Sequence, residues 1–401
     1  MNKLPQIQRW GVVCLFVCGF ALVACNSSTP PTATETPGQP AVTSEVTPTL
    51  EPTTAVTAVP SPTTPATAVS SPTTPATAVP TATDQPTMVP PATVPPVPSD
   101  EPYLDNRSDP IAVLDSLVNA INRREFLRAY SYWEENAADL PPYEQFAQGY
   151  DDTSAVELQT GTVYSGVGAG NLYFDVQAIL TAQTTQGGTQ AYVGCYTLHL
   201  GNPAIQGALP FRPLGIQKAL INQVADEAEA QAQLNQQCLN ENGQPNGEVY
   251  SVPAPPAPDD VSSEIYLDDL SDGTQVIRSY FNAVNRHEYV RAYDYWENQA
   301  VLGPLDDFIA GYEDTVSVQL LTGTETGDAG AGQRYSQVPV VLMVETADGE
   351  MQTFSGCYTL HLASPAIQAT PPFQPWGIQS ADIQQAPNDS DSQQLLAQAC
   401  S

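Results

Sequence analysis

Gly194-Cys195-Tyr196-Thr197-Leu198-His199-Leu200 recurs unchanged as Gly356-Cys357-Tyr358-Thr359-Leu360-His361-Leu362. An identity of that length inside one chain marks an internal repeat, and a repeat limits the fold to units that each close a core of their own or stack with neighbours. The repeat extends well beyond this run. Tyr103 matches Tyr266 and Trp133 matches Trp296 at an offset of 163. After a one-residue deletion near Leu140 the offset is 162, and it pairs Gly149-Tyr150 with Gly311-Tyr312, Gly168-Ala169-Gly170 with Gly330-Ala331-Gly332, and Pro203–Gln206 with Pro365–Gln368. There are only two copies, and each is long enough to bury its own core. The pattern predicts a tandem duplication of one domain, 102–240 and 262–401, joined by a linker over 241–261 that carries Pro253, Pro255, Pro256 and Pro258.

Each copy opens as helix. In the first, Ser108 or Asp109 can cap and Pro110 suits the first turn. Ile111, Leu114, Leu117, Val118 and Ile121 then recur at helical spacing, as Ile277, Tyr280, Phe281 and Val284 do in the second copy. Both helices meet a polar break, Asn122-Arg123-Arg124 and Asn285-Arg286-His287, before short helices that run to Trp133 and Trp296. A third short amphipathic piece carries Phe146 or Phe308. Strands are expected at Val156–Thr162, Val318–Thr324, Leu172–Thr184 and Tyr335–Thr346, with hairpin turns at Gly187-Gly188 and Asp348-Gly349. The first copy is expected to close with a helix over Ala219–Cys238. The fold class is thus α+β.

What precedes the copies is of a different kind. Lys3 and Arg9 form a basic start, and Gly11–Ala24 is an apolar run, shorter than the roughly 20 residues a spanning helix needs. It ends in Leu22-Val23-Ala24-Cys25, which resembles the lipobox of bacterial prolipoproteins. The resemblance implies a signal peptide over 1–24, cleavage before Cys25, and lipidation of Cys25 as a membrane anchor. Residues 26 to about 100 are almost wholly Thr, Pro, Ala, Val and Ser, and Ser61–Val69 repeats directly as Ser71–Val79. Such a tract lacks the apolar bulk to offset its ordering entropy. It reads as a disordered stalk over 25–101, with a polyproline II reach on the order of 200 Å.

The composition excludes one class of partner. The chain carries 44 acidic against 12 basic residues, and loss of Lys3 and Arg9 with the leader takes the formal net charge from −32 to −34. A nucleic-acid surface needs Lys and Arg to displace counterions. A charge of this sign keeps an exported protein soluble, or attracts a cationic partner.

The order of elements resembles the nuclear transport factor 2-like superfamily: a long helix broken at an Asn-containing turn, a second helix in which Ala and Tyr lead to Trp, a short third helix and a curved antiparallel sheet. The resemblance implies a cone with a pocket between helices and sheet, as isomerases, dehydratases and non-enzymatic binding modules share. The Pro-rich runs Pro203–Pro213 and Pro365–Pro375 depart from that pattern and would cover the pocket mouth.

Four cysteines remain beyond Cys14, Cys18 and Cys25: Cys195, Cys238, Cys357 and Cys400. Both pairs have a spacing of 43, which points to one disulfide per copy in an exported chain. The rival is a Cys/His pair with His199 or His361, but residues four apart on one strand face sit about 13 Å apart, too far for a nucleophile and its base. His199 and His361 read either as pocket bases or as hydrogen-bonded structural residues. Nothing at ligand spacing accompanies them for zinc, Asp151-Asp152 and Glu313-Asp314 lack the calcium-loop pattern, and no cofactor motif appears. Tyr130, Trp133 and Tyr150, with Tyr293, Trp296 and Tyr312, either line a pocket or form core.

Two functions follow. One is a cell-surface module displaying two stapled domains to bind a small molecule or an envelope protein. The other is an extracytoplasmic enzyme of the ketosteroid-isomerase or dehydratase kind, with one pocket per copy. Val338–Val344 is apolar on both faces, so both faces need cover. The sister copy's sheet, giving an intramolecular pseudo-dimer, is one source of that cover, and the Pro-rich tail of the same copy is the other.

Overall fold

The computed structural model describes residues 101–137 and 140–400. Cys25, the expected signal peptide and nearly all of the Pro/Thr tract lie outside the described residues. The described chain is α+β, with two antiparallel sheets of five strands.

The first copy opens on α1 (Pro110–Asn122), α2 (Phe126–Ser131) and α3 (Tyr143–Gln148). Asp109 is the cap: its Oδ1 accepts from Ile111 N at 2.9 Å and Ala112 N at 3.0 Å, and Pro110 fills the first helical position. The polar break stops α1 because Arg124 takes a left-handed backbone at φ 60°, so that Glu125 N reaches back to Ala120 O at 2.8 Å. This is the hydrogen-bond pattern of a Schellman stop. Asn122 then pins the helix to the sheet, its amide bonded to both N–H and C=O of Val156 at 2.8 and 3.0 Å.

The sheet of the first copy consists of β1 (Thr153–Gly168), β2 (Asn171–Thr184), β3 (Thr189–Gly201), β4 (Gly215–Val224) and β5 (Glu248–Val249), in the order β4-β3-β2-β1-β5. The helix expected over Ala219–Cys238 is corrected here. Only Glu227–Leu234 is helical, as α4, and the residues before it are β4. The open edge of β3 supplies backbone partners that outweigh helix propensity, and the register pairs Ala219 with Tyr196 and Leu220 with Cys195. Gly194 permits the crossing: a Cβ there would lie 2.0 Å from Leu220 O.

The second copy repeats this order with α5 (Gly273–Asn285), α6 (Tyr289–Asp294), α7 (Leu305–Ala310), β6 (Thr315–Thr322), β7 (Thr326–Gly330), β8 (Gln333–Thr346), β9 (Met351–Ala363), β10 (Gly377–Ala386) and α8 (Ser392–Gln398). His287 stands at φ 56° where Arg124 stood. The long β1 is here split into β6 and β7. Pro339 of β8 offers no N–H to its neighbour, and the chain opposite turns aside at Gly323–Glu325.

Disulfides Cys195–Cys238 and Cys357–Cys400 tie the C-terminal helices to their sheets. Ala230 and Leu234 of α4 cover Ile179 and Val193, and α8 lies in the same way on β8 and β9. The second apolar face of β8 is therefore covered within its own copy, by the tail.

The copies meet elsewhere, through the segments that lead into α1 and α5. Asp105 N donates to Ser271 Oγ at 3.0 Å, and Asp268 N to Ser108 Oγ at 2.9 Å. Arg107 N donates to Asp268 O at 2.7 Å, and Leu270 N to Asp105 O at 2.6 Å. Each bond is the counterpart of another under exchange of the copies, so the join has a local pseudo-twofold. Beneath it Arg128, fully buried, donates to Glu125 at 2.7 Å and Asn119 at 2.8 Å and lies 4.4 Å over the Tyr103 ring. Arg291 repeats this with Glu288, Asn282 and Tyr266. Tyr132 and Tyr295 donate to the buried carboxylates of Asp105 and Asp268. The side chains do not all follow that symmetry. Arg107, 3.6 Å from Asp105, has Leu270 as its counterpart.

Candidate functional site

The histidines lie on the sheet face turned away from α1 and α5, since Leu198 and Leu200 take the core side of β3. His199 Nδ1 meets Glu134 Oε1 at 2.6 Å, Nε2 meets Asn171 Oδ1 at 2.8 Å, and the ring rests on Tyr173. His361 repeats the arrangement with Glu297 at 2.8 Å, Gln333 at 2.6 Å and Tyr335. Both ring nitrogens are occupied in each case, and the neighbouring cysteines are held in disulfides. No Cys/His pair is formed.

The aromatic residues selected from the sequence gather into core walls. Tyr130 packs edge-on against Tyr143 and Phe146 and donates to Pro141 O at 3.2 Å. Tyr150 stacks on Phe126, and burial pushes its phenol up to about 12. Trp133 leans on Tyr196. In the second copy Tyr293 packs on Phe308 and donates to Gly303 O at 2.6 Å, Tyr312 shares a 2.6 Å hydrogen bond with Tyr280, and Trp296 meets Tyr280 and Tyr358.

A cavity of about 610 Å³ opens in the first copy, built from other residues. Its apolar floor is Leu172 and Phe174 of β2, Leu200 of β3 and Leu214 before β4, and Val167 and the turn Gly168–Gly170 form one edge. The start of α1 brings Ser108 and Asp109. The linker supplies a wall: β5 pairs with β1, Tyr250 N donates to Val163 O at 2.8 Å, and the Tyr250 ring stands edge-on to Phe174 at 5.1 Å. The second copy contributes Tyr266 and Arg286. A site of this size, mostly apolar with a few convergent polar groups, has the character of a small-molecule site.

The duplication supplies a comparison within the chain. At equivalent positions of the second copy Leu172 becomes Arg334, Phe174 becomes Ser336, Leu214 becomes Trp376 and Val163 becomes Glu325. Glu325 turns onto the start of α5. Its carboxylate accepts from Thr274 N at 2.9 Å, Thr274 Oγ1 at 2.8 Å, Gly273 N at 3.3 Å and Ser336 Oγ at 2.5 Å. Arg334 lies 5.5 Å over the Trp376 ring. Bulk and charge of the protein's own occupy what is apolar wall in the first copy. No family model and no curated protein matches this chain.

Among the described residues no group of three or more His, Cys, Asp or Glu is placed to hold a metal ion, and no helix is long and apolar enough to cross a membrane. The two disulfides point to an oxidising, extracytoplasmic compartment. The reading from sequence missed every cavity residue. It weighted identities between the copies, whereas the first copy's cavity is set apart from the equivalent place in the second by residues that differ, Leu172, Phe174 and Leu214, and by Tyr250 of the linker.

Proposed function

We propose that this chain is a lipoprotein, anchored through Cys25 and held off the membrane by its Pro/Thr stalk, whose two nuclear transport factor 2-like copies form one ligand-binding head. The first copy binds a small molecule, and the second serves as its structural companion. The observation that carries this reading is the composite cavity, with walls from the first sheet, the linker and Arg286 and Tyr266 of the second copy. Its apolar floor favours an apolar ligand body, and Ser108, Asp109 and Arg286 set orientation. Two further features support the reading: the leader ends in a lipobox-like Leu22–Cys25, and the stalk suits display at a distance.

The test uses the full mature protein. A panel of small apolar and amphipathic compounds is screened by thermal shift, in parallel with a Leu214→Trp variant that takes the second copy's residue. Compounds that stabilise the parent and not the variant support the cavity as the site. Identical responses in both proteins reject it. Fatty-acid labelling that persists in Cys25→Ser would reject the anchor.

A further inference from the structure

We infer that the first-copy cavity selects an organic cation: an ammonium group carried on an apolar body. This deepens the proposed binding function and rests on it. The charge balance of the walls carries the argument. Asp109 spends Oδ1 on two backbone N–H groups of α1, and its Oδ2 has no hydrogen-bond or ion-pair partner among the described residues. Arg286, the cation of the lining, is already matched: Nε donates to Glu288 at 2.7 Å, and Nη1 donates to Ser263 O and Ile265 O at 2.8 and 2.9 Å. Arg286 thus has its ion-pair partner in Glu288, whereas Asp109 has none among the described residues.

The second copy shows what an acidic occupant requires here. Glu325 is held by the free N–H groups of Gly273 and Thr274 at the start of α5. In the first copy Pro110 replaces Gly273 and has no N–H, while Asp109 already takes the next two. A carboxylate at this place would face Asp109 without donors. An ammonium would face the Asp109 carboxylate with the rings of Phe174 and Tyr250 around it, a setting that favours cations. Asp109 and Tyr250 both line the cavity, and burial and the Asp109 charge push the Tyr250 phenol upward. The net charge of −32 adds long-range attraction for cations.

Titration calorimetry on the full mature protein tests this with three probes of one shape: phenylpropylammonium, phenylpropanol and phenylpropionate. The ammonium is expected to bind at least about ten-fold more tightly than the carboxylate, as one charge-assisted contact implies. Asp109→Asn keeps the helix cap, because Asn caps as well as Asp, and should remove about ten-fold from ammonium affinity while leaving the alcohol unchanged. Asp272→Asn, the equivalent cap of the second copy, should change neither. Equal binding of the three probes, tighter binding of the carboxylate, or no ammonium binding at millimolar concentration overturns the inference. If binding is indifferent to charge yet abolished by Leu214→Trp, the cavity remains the site and only cation selection falls. If Leu214→Trp leaves ammonium binding intact, the site itself is wrong.

Discussion

Asn106 and Asp269 occupy the same position of the two copies and face each other across their join, Asn106 Nδ2 donating to Asp269 Oδ2 at 3.2 Å. The other oxygen of Asp269 accepts from Ser271 N at 3.0 Å and Ser271 Oγ at 2.6 Å. Burial nonetheless dominates, and with Asp272 and Asp105 nearby it pushes the Asp269 carboxyl up to about 6. A carboxyl raised by folding binds its proton more tightly in the folded state. Its contribution is therefore fully present below roughly pH 4 and is lost as pH rises through about 6. Asp269→Asn, which restores the residue of the first copy, should gain about 1–2 kcal/mol over the parent above pH 6, with the gap closing toward pH 4. Urea unfolding across that range reads the difference. A gap that does not change with pH would show that ionisation of Asp269 opposes nothing.

Arg107 is the cation of the join that has no symmetric partner; it lies 3.6 Å from the buried Asp105 carboxylate, and its charge also favours the ionised form of buried Asp268. Arg107→Leu, the residue of the second copy, should cost about 3–5 kcal/mol, the penalty for leaving buried charge uncompensated. Adding Asp268→Asn should recover part of that loss. Equilibrium denaturation of the single and double variants measures both effects, and additive losses would remove the electrostatic explanation.

Gly194 and Gly168 separate backbone approach from glycine flexibility. A Cβ on Gly194 would meet Leu220 O at 2.0 Å, while one on Gly168 meets nothing within 4 Å. Gly194→Ala should destabilise by about 2–4 kcal/mol by forcing β4 off β3. Gly168→Ala should stay within about 0.5 kcal/mol of the parent. Thermal unfolding with far-ultraviolet dichroism distinguishes them.

The disulfides staple α4 and α8 onto sheet faces that are otherwise apolar. Each joins residues 43 apart, and loss of one should cost about 2–4 kcal/mol. In Cys238→Ser the amide protons around Ile179 and Val193 should exchange faster, while those of β8 and β9 keep their protection. Peptide mapping without reduction should find Cys195 with Cys238 and Cys357 with Cys400, and cross-copy links would contradict the fold.

What the sequence determined by itself is local or repeated. Asp109-Pro110 announced a helix start, because cap and first-turn preferences act within one turn. Gly187-Gly188 and Asp348-Gly349 announced hairpins for the same reason, and two spacings of 43 announced two staples. The placement of Gly215–Val224 was decided by tertiary structure alone. Its alanine, leucine and isoleucine suit a helix, and only the open edge of β3 makes a strand of it. The join of the copies was equally hidden. Tyr103-Leu104-Asp105 and Tyr266-Leu267-Asp268 are short polar lead-ins until Arg128 and Arg291 are seen buried beneath them. The cavity lay furthest from view. Leu172, Leu214, Tyr250 and Arg286 share no period and no motif, and they converge only because the linker folds back onto β1 and brings the second copy against the first.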